Sequence, residues 1–206
     1  MSDFQDLDVL YKHFCVTPGN INEHLPTHYR FTQECNSVVE IGVETMISTW
    51  AFLYGLKPGG KYIGIDLKYP PVEKFILAKL CAEKKGLDFN FFAKSDMLVS
   101  PEEIGNVDLI FIDSLHTYCH LTYELEKFSH LAQKYLSFHD SSFPWEYIDD
   151  DQYRGDYSEY PEWYDRTKRG VWPAIEDFLL RHHEWELIER HTNNNGFTVL
   201  KRVTLI

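Results

Sequence analysis

Four side chains suited to metal or proton chemistry fall at the ends of two apolar runs. Val107-Asp108-Leu109-Ile110-Phe111-Ile112 ends in Asp113, and His116 follows three residues later. The run through Phe138 ends in His139, Asp140 and Ser141. If both runs are neighbouring strands, their tips converge. Asp113, His116, His139 and Asp140 together then suit a divalent cation plus a general base. His120 follows His116 by four residues. A ligand role is conceivable for it, but the spacing turns it toward helix neighbours or solvent.

A second group of polar residues marks earlier run ends. Val38-Val39-Glu40-Ile41-Gly42-Val43 leads into Glu44-Thr45-Met46-Ile47-Ser48-Thr49-Trp50. A glycine at a strand-to-helix turn lets a ligand approach the backbone, and Ser48 or Thr49 can cap the helix. No second or third glycine follows, which disfavours a pyrophosphate loop. Tyr62-Ile63-Gly64-Ile65 ends in Asp66, placed to accept hydrogen bonds from ribose hydroxyls. Lys94-Ser95-Asp96 closes a third run, where Asp96 can meet an adenine amino group.

These positions require a sheet that presents its strand ends along one edge. Strand-like runs cover 37–41, 61–65, 89–93, 107–112, 135–138, 185–190 and 197–203. Helical patterns cover 48–55, 71–85 and 117–133 between them. Strands alternating with helices imply βαβ units and a parallel sheet. In the third helix Leu121, Leu125, Phe128 and Leu131 recur at helical spacing and form the core face. Glu124, Glu126 and Lys127 are expected to face elsewhere. Near the C-terminus, Asn193-Asn194-Asn195-Gly196 between two strand runs predicts an antiparallel hairpin.

Residues 141–170 show no periodicity. They interleave Phe143, Trp145, Tyr147, Tyr153, Tyr157, Tyr160, Trp163 and Tyr164 with Asp149, Asp150, Asp151, Asp156, Glu159 and Glu162. A loop of this length is commonly a lid or binding loop. Aromatic faces beside carboxylates suit hydroxyl-rich ligands such as sugars. A surface excursion or a subunit interface fits the same composition.

The 206 residues carry 20 Lys+Arg against 32 Asp+Glu, a formal net charge of −12, which argues against a nucleic-acid surface. No apolar run is long enough to span a bilayer, and the acidic start MSDFQDLDVL does not read as a secretory signal. The scattered Cys15, Cys35, Cys81 and Cys119 form no C-x-x-C pair, so neither a disulfide framework nor a thiolate zinc site is expected. A reducing cytoplasm is the expected location.

With these residues assembled, the chain resembles the class I S-adenosylmethionine-dependent methyltransferases, closest to the compact subgroup that includes metal-dependent sugar O-methyltransferases. Val39–Val43 with Ser48-Thr49 looks like the cofactor motif, including Glu40 and Gly42. Asp66 matches the ribose-binding acid, and Ser95-Asp96 the adenine-side acid. Phe111 to Tyr118 looks like the Asp-x-x-His element, in which the Asp helps hold Mg²⁺ and the His is the base. His139-Asp140 aligns with paired acidic metal ligands. The Asn20–Pro26 segment and the Asn-Asn-Asn-Gly-Phe-Thr-Val-Leu ending fit the same subgroup, some of whose members occur in viral and bacterial surface-glycan gene sets.

The resemblance implies a Rossmann-like α/β fold. It has a mostly parallel seven-stranded sheet, an antiparallel C-terminal hairpin strand and helices on both faces. A single domain over 1–206 is expected, with an N-terminal helical segment at 1–36 and an acceptor-binding or lid loop at 141–170. The implied reaction is methylation of a sugar or glycan hydroxyl, with S-adenosylmethionine and Mg²⁺ or Mn²⁺. Tyr118, Phe143, Trp145 and Trp163 are candidate acceptor contacts, and an oligomer is compatible with all of this. For a viral member the location becomes the host cytoplasm. Two departures stand out. Glu44 and Met46 replace glycines, predicting a looser cofactor loop, and His139 replaces an acidic ligand. Two other readings are a metal-dependent hydrolase using the Asp/His cluster and a non-catalytic glycan-binding module on the same fold.

Overall fold

The computed structural model describes residues 7–150 and 160–203. Strands β1 (Ser37–Ile41), β2 (Lys61–Asp66), β3 (Asp88–Ala93), β4 (Val107–Ile112), β5 (Ala132–His139), β6 (Trp185–His191) and β7 (Phe197–Arg202) form one sheet. Its order is β3-β2-β1-β4-β5-β7-β6. The first five strands pair in parallel. β7 runs antiparallel to both β5 and β6. This is the seven-stranded sheet with a C-terminal hairpin that the run pattern predicts. The order reverses between β1 and β4, the point at which open α/β sheets bind ligands.

The helices are α1 (Leu7–Val16), α2 (Leu25–Thr32), α3 (Ile47–Gly55), α4 (Val72–Lys85), α5 (Pro101–Ile104), α6 (Tyr118–Phe128) and α7 (Val171–Arg181). Strand alternation sends side chains to two cores. Val38, Leu109 and Phe111 pack with Leu10, Trp50, Leu53 and Cys81, on the side of α1, α3 and α4. Val39, Ile110 and Ile112 pack with Leu121, Leu125, Phe128, Ile175 and Phe178, on the side of α6 and α7. Each such side chain contributes about 1.5–3 kcal/mol of burial. Helices therefore cover both faces. Among the described residues no helix is long and apolar enough to cross a membrane.

Two sequence expectations fail around α6. The helix ends at Phe128, a 3-10 turn covers Ser129–Leu131, and β5 already begins at Ala132. No glycine or proline marks this boundary; pairing of Ala132 with Val107 sets it. Glu124, expected outside, is fully buried. The short α5 was not foreseen from periodicity, although it starts at Pro101 and the Glu103 carboxylate accepts the Ser100 N–H at 2.8 Å.

Candidate active site

The loop after β1 turns under strong constraint. Gly42 has φ +84°, and a Cβ there would lie 1.9 Å from the Asp113 carbonyl oxygen. Its N–H donates to the Ile65 carbonyl, while the Asp113 N–H donates to the Ile41 carbonyl. The close approach that requires glycine is thus to the tip of β4. Glu44 and Met46 adopt φ of 42° and 63°. The loop therefore turns through two left-handed non-glycine residues, at a cost of about 1–2 kcal/mol per residue. Asp66 Oδ2 holds this loop by accepting the Val43 and Glu44 N–H groups at 2.9 and 2.8 Å.

Glu40 sits beneath the loop, fully buried. Its carboxylate accepts hydrogen bonds from Ser48, Tyr62 and, at 2.7 Å, Thr49. Burial raises its pKa to about 7, although the three hydroxyls work in the other direction. Ser48 and Thr49 do not cap α3. The capping position is Met46, and both hydroxyls turn inward to Glu40. These residues brace the loop from below.

After β3, Ser95 Oγ accepts the Met97 N–H at 3.2 Å. The buried Asp96 turns toward α6, where His120 Nε2 lies 3.1 Å from its Oδ2. His120 is accordingly 2% exposed, neither solvated nor surface-facing. Glu124, one turn further along α6, accepts the Ser114 hydroxyl at 2.6 Å. Burial pushes the Glu124 carboxyl up to about 8, partly offset by His120.

The tips of β4 and β5 bring the other four candidates together. His139 Nε2 lies 2.8 Å from the Asn20 carbonyl and 3.1 Å from that of Asn194. Carbonyls only accept, so Nε2 carries the proton. Nδ1 then faces Asp113 Oδ1 at 3.3 Å and Asp140 Oδ2 at 3.2 Å. Asp140 has φ +53°, and its buried Oδ1 has no hydrogen-bond partner. One ligand atom from each of Asp113, His139 and Asp140 fits within a 4.8 Å group. An imidazole nitrogen whose proton a metal can displace and two carboxylates, one of them with an orphaned buried oxygen, fit a divalent cation.

His116 borders this group. Its Nε2 is 2.8 Å from Asp140 Oδ2 and 3.5 Å from Asp113 Oδ1, and its Nδ1 is 3.4 Å from Asp150 Oδ2. Burial alone would lower the His116 pKa, but the Asp113 and Asp140 carboxylates outweigh it and raise it to about 10. The neutral imidazole expected near pH 7 is therefore not the form held by the free carboxylates. Burial likewise opposes ionisation of Asp113 and Asp140. The paired histidines override it, and both carboxyls sit below the ordinary range.

The aromatic segment meets the site through its first ten residues. Asp149 Oδ1 accepts the N–H groups of Tyr118 and Gly170, at 2.9 and 2.7 Å, tying the segment to the starts of α6 and α7. The Asp150 N–H donates to the His116 carbonyl at 3.0 Å. Trp145 stacks on the His116 ring at 5.9 Å and 22°. Among the other aromatic candidates, Phe143 is exposed and Tyr118 gives its hydroxyl to Asp177 at 2.7 Å. Tyr118 and Trp163 line a cleft of about 230 Å³ with Asp165 and Arg181. Tyr153, Tyr157, Asp151, Asp156 and Glu159 lie outside the described residues. The sequence pattern did not single out Asp150 as a partner of His116. Its only signal was the run Asp149-Asp150-Asp151, which says nothing of direction.

No protein-family profile and no curated protein matches the sequence. Solved structures do. An O-methyltransferase from Bacillus cereus in complex with S-adenosylhomocysteine aligns over 98% of this chain and 92% of its own, at TM-score 0.54 and 15% identity. TomG from Streptomyces achromogenes, an O-methyltransferase of tomaymycin synthesis solved with S-adenosylmethionine, aligns over 99% and 91%, at 0.55 and 11%. The N-terminal domain of EvdMO1, solved with S-adenosylhomocysteine and D-fucose, aligns over 88% and 82%, at 0.53 and 13%. Sheet order, the C-terminal hairpin and these alignments agree: the chain has the fold of the class I S-adenosylmethionine-dependent methyltransferases.

Proposed function

We propose that the protein is an S-adenosylmethionine-dependent O-methyltransferase that acts on a sugar or glycan hydroxyl with the help of a divalent cation. The observation that carries this reading is the convergence of Asp113, His116, His139 and Asp140 at two adjacent strand tips. That convergence lies beside the Asp66-braced loop, in a fold whose solved relatives include O-methyltransferases. The sugar acceptor draws support from the aromatic-acidic segment over the site and from the D-fucose in the EvdMO1 structure.

In this reading Asp66 accepts hydrogen bonds from the cofactor's ribose hydroxyls, and Gly42, Glu40, Ser48 and Thr49 fix the loop that receives it. Ser95 and Asp96 border the adenine side. S-adenosylmethionine would supply an electrophilic sulfonium methyl group, and Asp113, His139 and Asp140 would hold a cation that supplies positive charge beside the acceptor oxygen. Positive charge held at Asp113 and Asp140 would offset the carboxylates that keep His116 protonated, and the neutral ring then takes the acceptor hydroxyl proton as the new O–C bond forms and the S–C bond breaks, a contribution of about 10²–10⁴ in rate. Asp150 orients its ring from the opposite nitrogen, and Trp145 stacks over one ring face. Phe143, Tyr118 and Trp163 are the remaining candidate acceptor contacts.

The test is methyl transfer from labelled S-adenosylmethionine to a panel of monosaccharide and oligosaccharide hydroxyls. Transfer should disappear in EDTA and return with Mg²⁺ or Mn²⁺. Full activity in chelator, with no metal found by elemental analysis, would remove the cation from the mechanism. No transfer to any hydroxyl acceptor, despite tight S-adenosylhomocysteine binding, would remove the proposed reaction.

A further inference from the structure

A second group of ligand-type side chains lies inside the protein, apart from the Asp113 cluster. Asp96 comes from the turn after β3, and His120 and Glu124 come from α6, four residues apart. His120 Nε2 stands 3.1 Å from Asp96 Oδ2 and 3.7 Å from Glu124 Oε1. One ligand atom from each residue fits within a 4.8 Å group. Glu124 is fully buried and His120 is 2% exposed. Even so, Glu124 Oε2 is buried without a hydrogen-bond partner, and Asp96 Oδ2 and His120 Nε2 have only each other, off line for a good hydrogen bond. A buried carboxylate oxygen is costly to leave unmet. A cation held by one ligand atom from each residue would satisfy this carboxylate together with the facing pair.

We infer that Asp96, His120 and Glu124 form a second divalent-cation site, separate from the Asp113–His139–Asp140 group and suited to Zn²⁺. One imidazole with two carboxylates is a ligand set that Zn²⁺ accepts, and the burial of Glu124 and His120 excludes the several waters that Mg²⁺ keeps. The outer shell is also in place. The Tyr160 hydroxyl lies 2.8 Å from His120 Nδ1 and, accepting its proton, leaves Nε2 bare for a metal. Ser114 Oγ fixes Glu124 Oε1 at 2.6 Å. The nearby Lys127 ammonium donates instead to the Asp96 and Met97 carbonyls and the Tyr123 hydroxyl, at 3.0, 2.7 and 3.1 Å. Because Ser114 directly follows Asp113, a cation here stiffens the turn that presents Asp113 and His116. Its role is structural.

Metal content tests this without reference to methyl transfer. Protein stripped with chelator, loaded with Zn²⁺ and desalted should hold two equivalents by elemental analysis. The Asp113→Asn/Asp140→Asn variant should hold one. Adding Glu124→Gln or Asp96→Asn to that variant should leave none, with near-UV circular dichroism unchanged. Two separate substitutions guard against a folding failure in either. Tyr160→Phe should keep the site but weaken Zn²⁺ binding about 10–100-fold. Co²⁺ in the Asp113→Asn/Asp140→Asn variant should give a d–d absorption that Glu124→Gln abolishes. The inference is overturned if that variant holds no Zn²⁺, or if its one equivalent survives both Glu124→Gln and Asp96→Asn.

Discussion

His116 is held by three carboxylates, those of Asp113, Asp140 and Asp150. Removing the ring should leave S-adenosylhomocysteine binding nearly intact, because Asp66 and the loop after β1 do not depend on it. His116→Ala should lower single-turnover methyl transfer at saturating metal by about 10²-fold or more. His139→Ala, tested alongside, should act through lost metal affinity. A His116→Ala enzyme as fast as wild type, beside a metal-loaded but dead His139→Ala enzyme, would reassign the base. Glu40 offers a test by pH. It is an acid whose folded pKa, about 7, exceeds its ordinary 4.5. Between those values the folded state keeps a proton that the unfolded chain has released, so Glu40 subtracts stability as pH rises through that window. Relative to wild type, Glu40→Gln should therefore gain up to roughly 3 kcal/mol between pH 4.5 and pH 8, read by urea unfolding. A difference that does not vary with pH would mean that Glu40 stays ionised throughout.

The loop between β1 and α3 depends on one missing side chain. A Cβ on Gly42 would overlap the Asp113 carbonyl, and its φ of +84° disfavours any L residue. Gly42→Ala should destabilise the fold by about 2–4 kcal/mol and weaken both cofactor and metal binding, because the loop and the β4 tip must separate. Retention of wild-type stability and affinity would show that the loop can shift without moving Asp113. The strands and the hairpin were legible at this scale because buried parallel strands write continuous apolar runs and Asn-Gly marks a turn. The helix-to-strand switch at Ala132 was not, since no breaker residue marks it. Glu124 was misplaced, and the Asp96 partner of His120 missed, for a related reason: helical spacing orients apolar residues but cannot see a polar partner such as Asp96 arriving from another element. The tips carrying Asp113 and His139-Asp140 were correctly placed side by side because β4 and β5 are neighbours.

For the whole molecule, cofactor binding and stability are linked. A ligand at 100 times its dissociation constant stabilises the folded state by about 2.7 kcal/mol if the unfolded chain does not bind it. S-adenosylhomocysteine at that excess should raise the melting temperature. Asp66→Ala should lose roughly 1–3 kcal/mol of binding, and with it from about a third to most of the shift at the same ligand concentration. An unchanged affinity in a folded Asp66→Ala protein would place the ribose elsewhere.

The closure of the site from both ends of the chain has a consequence for how the protein is made. The hairpin turn between β6 and β7 meets the segment before α2. Asn194 Oδ1 accepts the Glu23 N–H, its Nδ2 donates to the Gly19 carbonyl, and His24 Nε2 lies 3.0 Å from the Asn193 carbonyl. His139 spans the same junction, between the Asn20 and Asn194 carbonyls. The contacts of Asn193 and Asn194 with Gly19, Glu23 and His24 join residues 169 to 175 positions apart. During synthesis the amino-terminal partners emerge long before the hairpin exists. β1 to β4 can pair while the chain is still on the ribosome, whereas the His139 wall closes only after residue 197 has cleared the exit tunnel. Such distant closures are slow, because chain entropy is lost before the contacts reward it. The nascent chain therefore passes through a stage with a mostly formed parallel sheet, an open β5 edge and no working site, the stage at which it is most open to mispairing.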